Sequence, residues 1–261
     1  MIKMTTTNVY SVKGEVSGTI EVPAAFNTEY RPDIIKKAIL AAAANKRQAY
    51  GPNPLSGMRH SVSTWGKGRG VARVQRLHDG RRATQSPNNV TGRRAHPPKV
   101  EKIWEQKVNK KELRIARLSA LAATACADCV KARGHKFDDK VTFPVVVDDA
   151  LNDVKTAAEV MALFDAIGIG YDVERAKDGT KIRAGKGKMR NRKYRTAVSV
   201  LILISDKDRT AAVFKGANNL PGVEVEEIST LNTSLLAPGG DAGRLTVYTK
   251  SAIAKIGEWT E

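Results

Sequence analysis

The chain has 261 residues, and its 44 Lys and Arg outnumber 27 Asp and Glu to give a formal charge of +17. That excess points to a polyanionic partner, while a hydrophobic content of 41% excludes a wholly disordered chain and suffices for one large or two ordinary domains. The opening MIKMTTTNVYSVKG lacks the apolar core of a signal peptide, and the longest apolar run, residues 197–204, falls far short of the roughly 20 that span a bilayer, so neither secretion nor membrane insertion is expected.

Residues 8–12 and 18–22 read as two strands around a Lys13-Gly14 turn. The stretch RPDI, with Pro32 suited to a first helical turn, opens a helix whose apolar positions are Ile35, Ala38, Ile39 and Ala42. After a long irregular excursion, Ile115, Leu118, Ala122, Ala125 and Cys129 recur at helical spacing as one stripe, closed by Gly134. Residues 142–147, TFPVVV, predict a buried strand, and Leu151, Val154, Ala158 and Met161 a further helix. The run 197–204, AVSVLILI, is apolar except at Ser199, as a strand covered on both faces would be. Strands at 223–228 and 245–248 and a terminal helix from Ser251 complete an alternation that predicts an α/β fold, a three-layer α/β/α domain with a mainly parallel sheet.

The charge is confined. Residues 46–99 hold 12 basic and one acidic residue, residues 177–195 hold nine and one, and everything else is close to neutral. Two such segments would be self-repelling alone and would gain affinity by releasing counterions from a phosphate backbone. The first also carries 7 of the 21 glycines and 5 of the 10 prolines and shows neither helical nor strand periodicity. Its backbone ordering costs about 1 to 2 kcal/mol per residue, which it cannot offset with contacts of its own, so it is expected to be mobile alone and ordered by its partner. The organisation expected is a single globular domain over 1–261, interrupted by an extended basic loop at 46–110, with a second basic loop at 177–195.

Other chemistry fares poorly. The run Gly66-Lys67-Gly68-Arg69-Gly70 lacks dinucleotide spacing, and Gly185-Lys186-Gly187-Lys188 lacks the first glycine and the hydroxyl residue of a phosphate loop. Cys126 and Cys129 are too few for a disulfide framework or a four-ligand zinc site; they read as buried helix positions in a reducing, cytoplasmic compartment. Asp148 and Asp149 read as caps of the helix near Leu151. His60, His78 and His96 have no acidic neighbour and His135 follows a helix-ending glycine, so no catalytic residue, metal, cofactor or small-molecule substrate is expected. The alternative is an RNA-processing or RNA-modifying enzyme that captures substrate with the basic segments and uses Asp148 and Asp149 for chemistry.

Six motifs in order, RPDI, STWGKGRGVARVQR, GRRAHPPKV, KVNKKE, RAGKGKMRNR and LAPGGDAGRL, resemble the universal large-subunit ribosomal protein four family in its archaeal and eukaryotic form, through nearly the whole chain. The resemblance implies a structural constituent of the large ribosomal subunit. Such a protein binds large-subunit rRNA early in assembly, contacts several rRNA domains and other ribosomal proteins, and lines part of the polypeptide exit tunnel beside the nascent polypeptide. The stretch 77–91 departs from the pattern, being less glycine-rich than the family linker. The rRNA-binding residues expected are Arg59, Trp65, Lys67, Arg69, Arg73, Arg76, Arg81, Arg82, Arg93, Arg94 and Lys99 in the first segment. In the second they are Lys181, Arg183, Lys186, Lys188, Arg190, Arg192, Lys193 and Arg195. Trp65, Lys67, Arg69 and Arg73 are implied to be tunnel-proximal. Arginines can pair with phosphate oxygens, glycines admit close backbone approach, and Trp65 can stack on an unpaired base.

Overall fold

A computed structural model describes residues 5–205 and 211–260. By its own internal contacts the chain divides into one unit of residues 1–42 and 107–261 and another of residues 43–106, here called the domain and the arm.

The domain is built on a sheet of β1 (Thr6–Tyr10), β2 (Val16–Glu21), β3 (Val145–Val147), β4 (Leu201–Ile204), β5 (Glu224–Glu227) and β6 (Thr246–Thr249), in the order β2-β1-β3-β6-β4-β5. Only β1 and β2 pair antiparallel; every other neighbour is parallel. Parallel neighbours need crossovers, and these supply helices to both faces. In β4, Ile202 and Ile204 join one apolar cluster while Leu201 and Leu203 join the other, and all four are fully buried. Period-two alternation thus feeds two cores, which is why an unbroken apolar run makes this strand. The first core takes Val160, Leu163, Phe164 and Ile167 of α4 (Ala157–Ile167) and Val173 of α5 (Gly170–Asp178). The second takes Ile35 and Ile39 of α1 (Pro32–Asn45), Leu121 of α2 (Lys110–Thr124), and Ile253 and Ile256 of α8 (Lys250–Gly257). The short helices α6 (Val213–Ala217) and α7 (Thr233–Leu236) add to the first and second core respectively. The three-layer α/β/α fold with a mainly parallel sheet is therefore as expected.

Several local expectations are corrected. The single helix expected to end at Gly134 is two, α2 and α3 (Ala127–Arg133), with Cys126 extended between them. The break has a packing reason: α2 covers one face of the sheet, whereas Val130 of α3 belongs to the core on the other. Of the expected stripe on α2, Ala122 is buried, but so are Ala116, Ser119, Ala120, Leu121 and Ala123, while Ile115 is 47% exposed. Cys126 and Cys129 are accordingly half-buried rather than core positions. Leu151 lies in a 3₁₀ turn at Asp149–Asp153, and α4 begins only after Thr156, whose hydroxyl and Glu159 form a reciprocal capping box. Ala158 is consequently exposed. Asp148 occupies the N-cap position of the turn near Leu151, but no side-chain capping bond forms there. Asp148 accepts from Ser17 Oγ at 3.0 Å, and Asp149 accepts from both the amide and the hydroxyl of Ser251, in the first turn of α8. A carboxylate there suits the helix dipole, and no sequence-local rule would have paired residues so far apart.

Candidate nucleic-acid interface

The arm holds its conformation through turns and polar staples, not through a core. Among the described residues of 43–106, Thr84 alone is buried. Val62–Ser63 pairs antiparallel with Arg76–Leu77, and the Arg76 guanidinium donates to the carbonyls of Arg81 at 2.6 Å and Ala72 at 3.3 Å. Arg82 donates to Thr91 Oγ1 at 2.9 Å. At Gly92 a Cβ would fall 1.8 Å from Ser86 O, so only glycine lets these two loop segments close. At the neck, Asn45 and Gln106 exchange two bonds, Nδ2 to Gln106 O at 3.2 Å and Gln106 N to Oδ1 at 2.8 Å. Gly66, Gly68 and Gly70 all have positive φ with open space around them, a backbone that other residues adopt only under strain. Both Arg69, at 5.3 Å, and Arg76, at 5.2 Å, lie over the Trp65 ring, and Trp104 is covered likewise by Arg47 and Lys102.

The second basic segment is a hairpin. Lys177 and Asp178 form the last turn of α5, and the hairpin proper runs from Lys181–Ile182 to its antiparallel partner Tyr194–Arg195, with a 3₁₀ turn at Lys186–Met189. Arg183 staples its two sides: its amide donates to Lys193 O at 2.8 Å and its Nε to Arg192 O at 3.0 Å. Between the cations, Ile182, Met189 and Tyr194 expose 61%, 79% and 59% of their surface. Apolar faces beside cations form a surface that takes both bases and phosphates.

Of the residues expected to bind RNA, Trp65, Arg76, Arg93 and Arg183 are half-buried, and all the others are exposed. Among the described residues none of them forms an ion pair; the salt bridges all lie elsewhere in the domain. Two parts of the molecule thus present uncompensated positive charge to solvent. Arg76 and Arg183 hold the backbone with their guanidinium groups, so their first role is to shape the surface that their neighbours present.

Behind the hairpin lies a network that the sequence did not disclose. Asp172 is fully buried and accepts from His135 Nδ1 at 2.9 Å, Arg175 Nε at 2.8 Å, Ser199 Oγ at 2.9 Å and the Lys136 amide at 3.0 Å. Burial by itself would raise its pKa, but the bonds from His135 and Arg175 outweigh it and hold the carboxyl down at about 2. Arg175 Nη2 also donates to Val198 O. The network ties α5, which leads into the hairpin, to the chain that leaves it. Arg244, from the LAPGGDAGRL motif, is fully buried and donates to Ser199 O, Glu224 Oε2, Leu235 O and Gly222 O. Its charge is therefore internal and contributes nothing to the outer surface.

The remaining candidates for chemistry find structural explanations. His60, His78 and His96 are exposed in the arm. Burial and the neighbouring Cys126 push the Cys129 thiol up to about 11, which leaves it protonated and a poor nucleophile at neutral pH. Among the described residues no group of three or more His, Cys, Asp or Glu is placed to hold a metal ion, and no helix is long and apolar enough to cross a membrane.

The ribosomal protein L4/L1 family matches residues 20–259. The chain belongs to that family. Similar proteins include the large ribosomal subunit protein uL4 of Archaeoglobus fulgidus, 51% identical over 96% of this chain and 98% of the relative. The uL4 of Methanococcoides burtonii is 50% identical over 97% and 98%, and that of Methanocaldococcus jannaschii 48% identical over 96% and 97%. The resemblance carried by the six sequence motifs is thus the family to which the chain belongs. In this L4-family chain the motif RAGKGKMRNR is the hairpin, and STWGKGRGVARVQR is the part of the arm closed on Arg76.

Proposed function

We propose that the chain is a structural constituent of the large ribosomal subunit, in the cytoplasm, and that it binds large-subunit rRNA through the hairpin and the arm. The supporting observation is the set of exposed cations without carboxylate partners, on a chain about half identical to proteins named for that subunit. With about eight phosphate contacts, log K for RNA falls against log salt with a slope of about −6 to −7. Recognition of this kind reads the shape and backbone of folded RNA more than its bases. In this reading the loop expected over 46–110 penetrates the rRNA, and the stretch from Trp65 to Arg73 lines the exit tunnel with Lys67 and Arg69 toward the nascent chain. The three glycines at 66, 68 and 70 suit it to a narrow passage. Other large-subunit proteins are its neighbours there. The enzyme alternative loses its acidic pair, since Asp148 and Asp149 accept bonds from Ser17 and Ser251.

The test is sedimentation of the native protein through a high-salt sucrose gradient, with and without ribonuclease, followed by sequencing of crosslinked RNA. Co-migration with the large subunit and crosslinks to its RNA from both the arm and the hairpin are expected. Migration as free protein, or crosslinks to scattered transcripts, overturns the reading.

A further inference from the structure

At the root of the hairpin the domain surface is concave. A cleft of about 510 Å³ is lined by Arg133, His135, Arg175 and Asp241 together with Ala197 and Val198. A second hollow, of about 500 Å³, is lined by Lys181, Arg195 and Thr196 and shares Arg133, Ala197 and Val198 with the first. The two make one groove, leading from the paired residues Lys181 and Arg195 at the base of the hairpin to His135. Asp241 is the one carboxylate on a lining that holds four Lys and Arg side chains.

Two groups in the groove are unsatisfied. Arg133 donates from Nη2 to Pro238 O at 2.9 Å, but its buried Nη1 has no partner among the described residues, where no carboxylate bonds it although Asp241 favours its charge. His135 is 6% exposed, and its buried Nε2 likewise has no partner there. Because the Asp172 carboxylate is an acceptor at His135 Nδ1, that nitrogen carries a proton, and Nε2 is left to bond a group from outside the domain. The cleft therefore suits an anion at the arginines and a hydroxyl, which can donate or accept, at the histidine.

We propose that this groove binds one nucleotide of RNA, with its phosphate at Arg133 and Arg175 and its ribose 2′-hydroxyl bonded to His135 Nε2, so that the strand gripped by the hairpin continues across the domain. The inference rests on the RNA-binding reading of the hairpin. The pairing of needs favours RNA over DNA: a DNA phosphate satisfies the arginines but brings no 2′-hydroxyl, whereas a ribonucleotide brings both.

The experiment uses the full chain and an archaeal large-subunit rRNA transcript, with Kd measured across a series of KCl concentrations. Arg133→Gln is expected to weaken binding about fivefold to tenfold and to make the salt slope shallower by about 1. Thr196→Glu, at an exposed position in the groove wall that gives up only the 3.3 Å bond from Thr180 Oγ1, is expected to weaken binding about tenfold through repulsion of the phosphate. Transcripts carrying scattered 2′-deoxy nucleotides should show one interfering position, beside the nucleotides that the hairpin protects, and Arg133→Gln should abolish that interference. If Arg133→Gln fails to fold, Thr196→Glu and the interference map carry the test. Wild-type affinity and slope in both variants, while charge reversal of the hairpin abolishes binding, would overturn the groove and leave the hairpin reading standing. Normal binding by the hairpin reversal as well would overturn RNA binding at this face altogether. Weakened variants without any deoxy interference would overturn the contact to His135.

Discussion

The arm and the domain place their chains by opposite means. In the domain, every residue of β4 is buried between two apolar layers, and its conformation follows from removing side chains from water. In the arm a single threonine is buried among the described residues, and the backbone is directed by glycines, by guanidinium-to-carbonyl bonds and by tryptophans capped with cations. The domain pairs its fully buried Asp172 and Arg244, whereas the expected RNA-binding cations of the arm and the hairpin form no ion pair among the described residues. Stability and affinity are thus segregated in the sequence, and a substitution should move one without the other.

The sharpest break in that separation is expected at the hairpin. Replacing Lys186, Lys188, Arg190 and Arg192 together by Glu turns four attractions into four repulsions; we expect at least a thousandfold loss of RNA affinity, about 4 kcal/mol, with the circular dichroism and unfolding midpoint of the domain unchanged. Filter binding beside thermal unfolding measures both, and parallel loss of stability would show that the hairpin belongs to the fold. The converse substitution is Asp172→Asn. It puts an amide donor among four donors, and it is expected to cost about 3 kcal/mol in urea unfolding. The same carboxylate sets an acid limit. Its pKa lies at about 2 in the fold against an ordinary 3.8, so its contribution is present in full above about pH 4 and is lost as the pH falls from there toward 2. That contribution is on the order of 2 kcal/mol, readable as a drop in the urea midpoint over that interval. The smallest effect belongs to the arm: deleting residues 65–89 should shift domain stability by less than about 0.5 kcal/mol while disturbing late subunit assembly or nascent-chain passage. Failure of the truncated protein to fold would refute an independent domain.

The contrast also explains what could be read in advance. Strand β4 and the helix at Pro32 were legible because one local pattern, an apolar run or a helical stripe, reports one burial environment. The α2–α3 break was not legible: an alanine-rich stretch fits a helical stripe in several phases, and the choice is made by which sheet face each half reaches. The exposed cations of the arm and the hairpin were visible as charge density. The partners of His135, Asp172, Arg175 and Ser199 were not, because they are brought together from distant positions by the sheet. Arg244 shows the limit of counting charge, since a guanidinium enclosed on all sides looks the same in a sequence as one facing solvent.

The clasp of Asn45 with Gln106 joins the two ends of the arm to each other. The closure entropy of a loop grows only slowly with its length, and here the ends are already held by two hydrogen bonds that do not involve what lies between them. Lengthening, shortening or exchanging residues within the arm therefore adds little to what the domain must supply to fold. The clasp makes the arm a replaceable module, open to change by the demands of its surroundings while the α/β scaffold stays as it is.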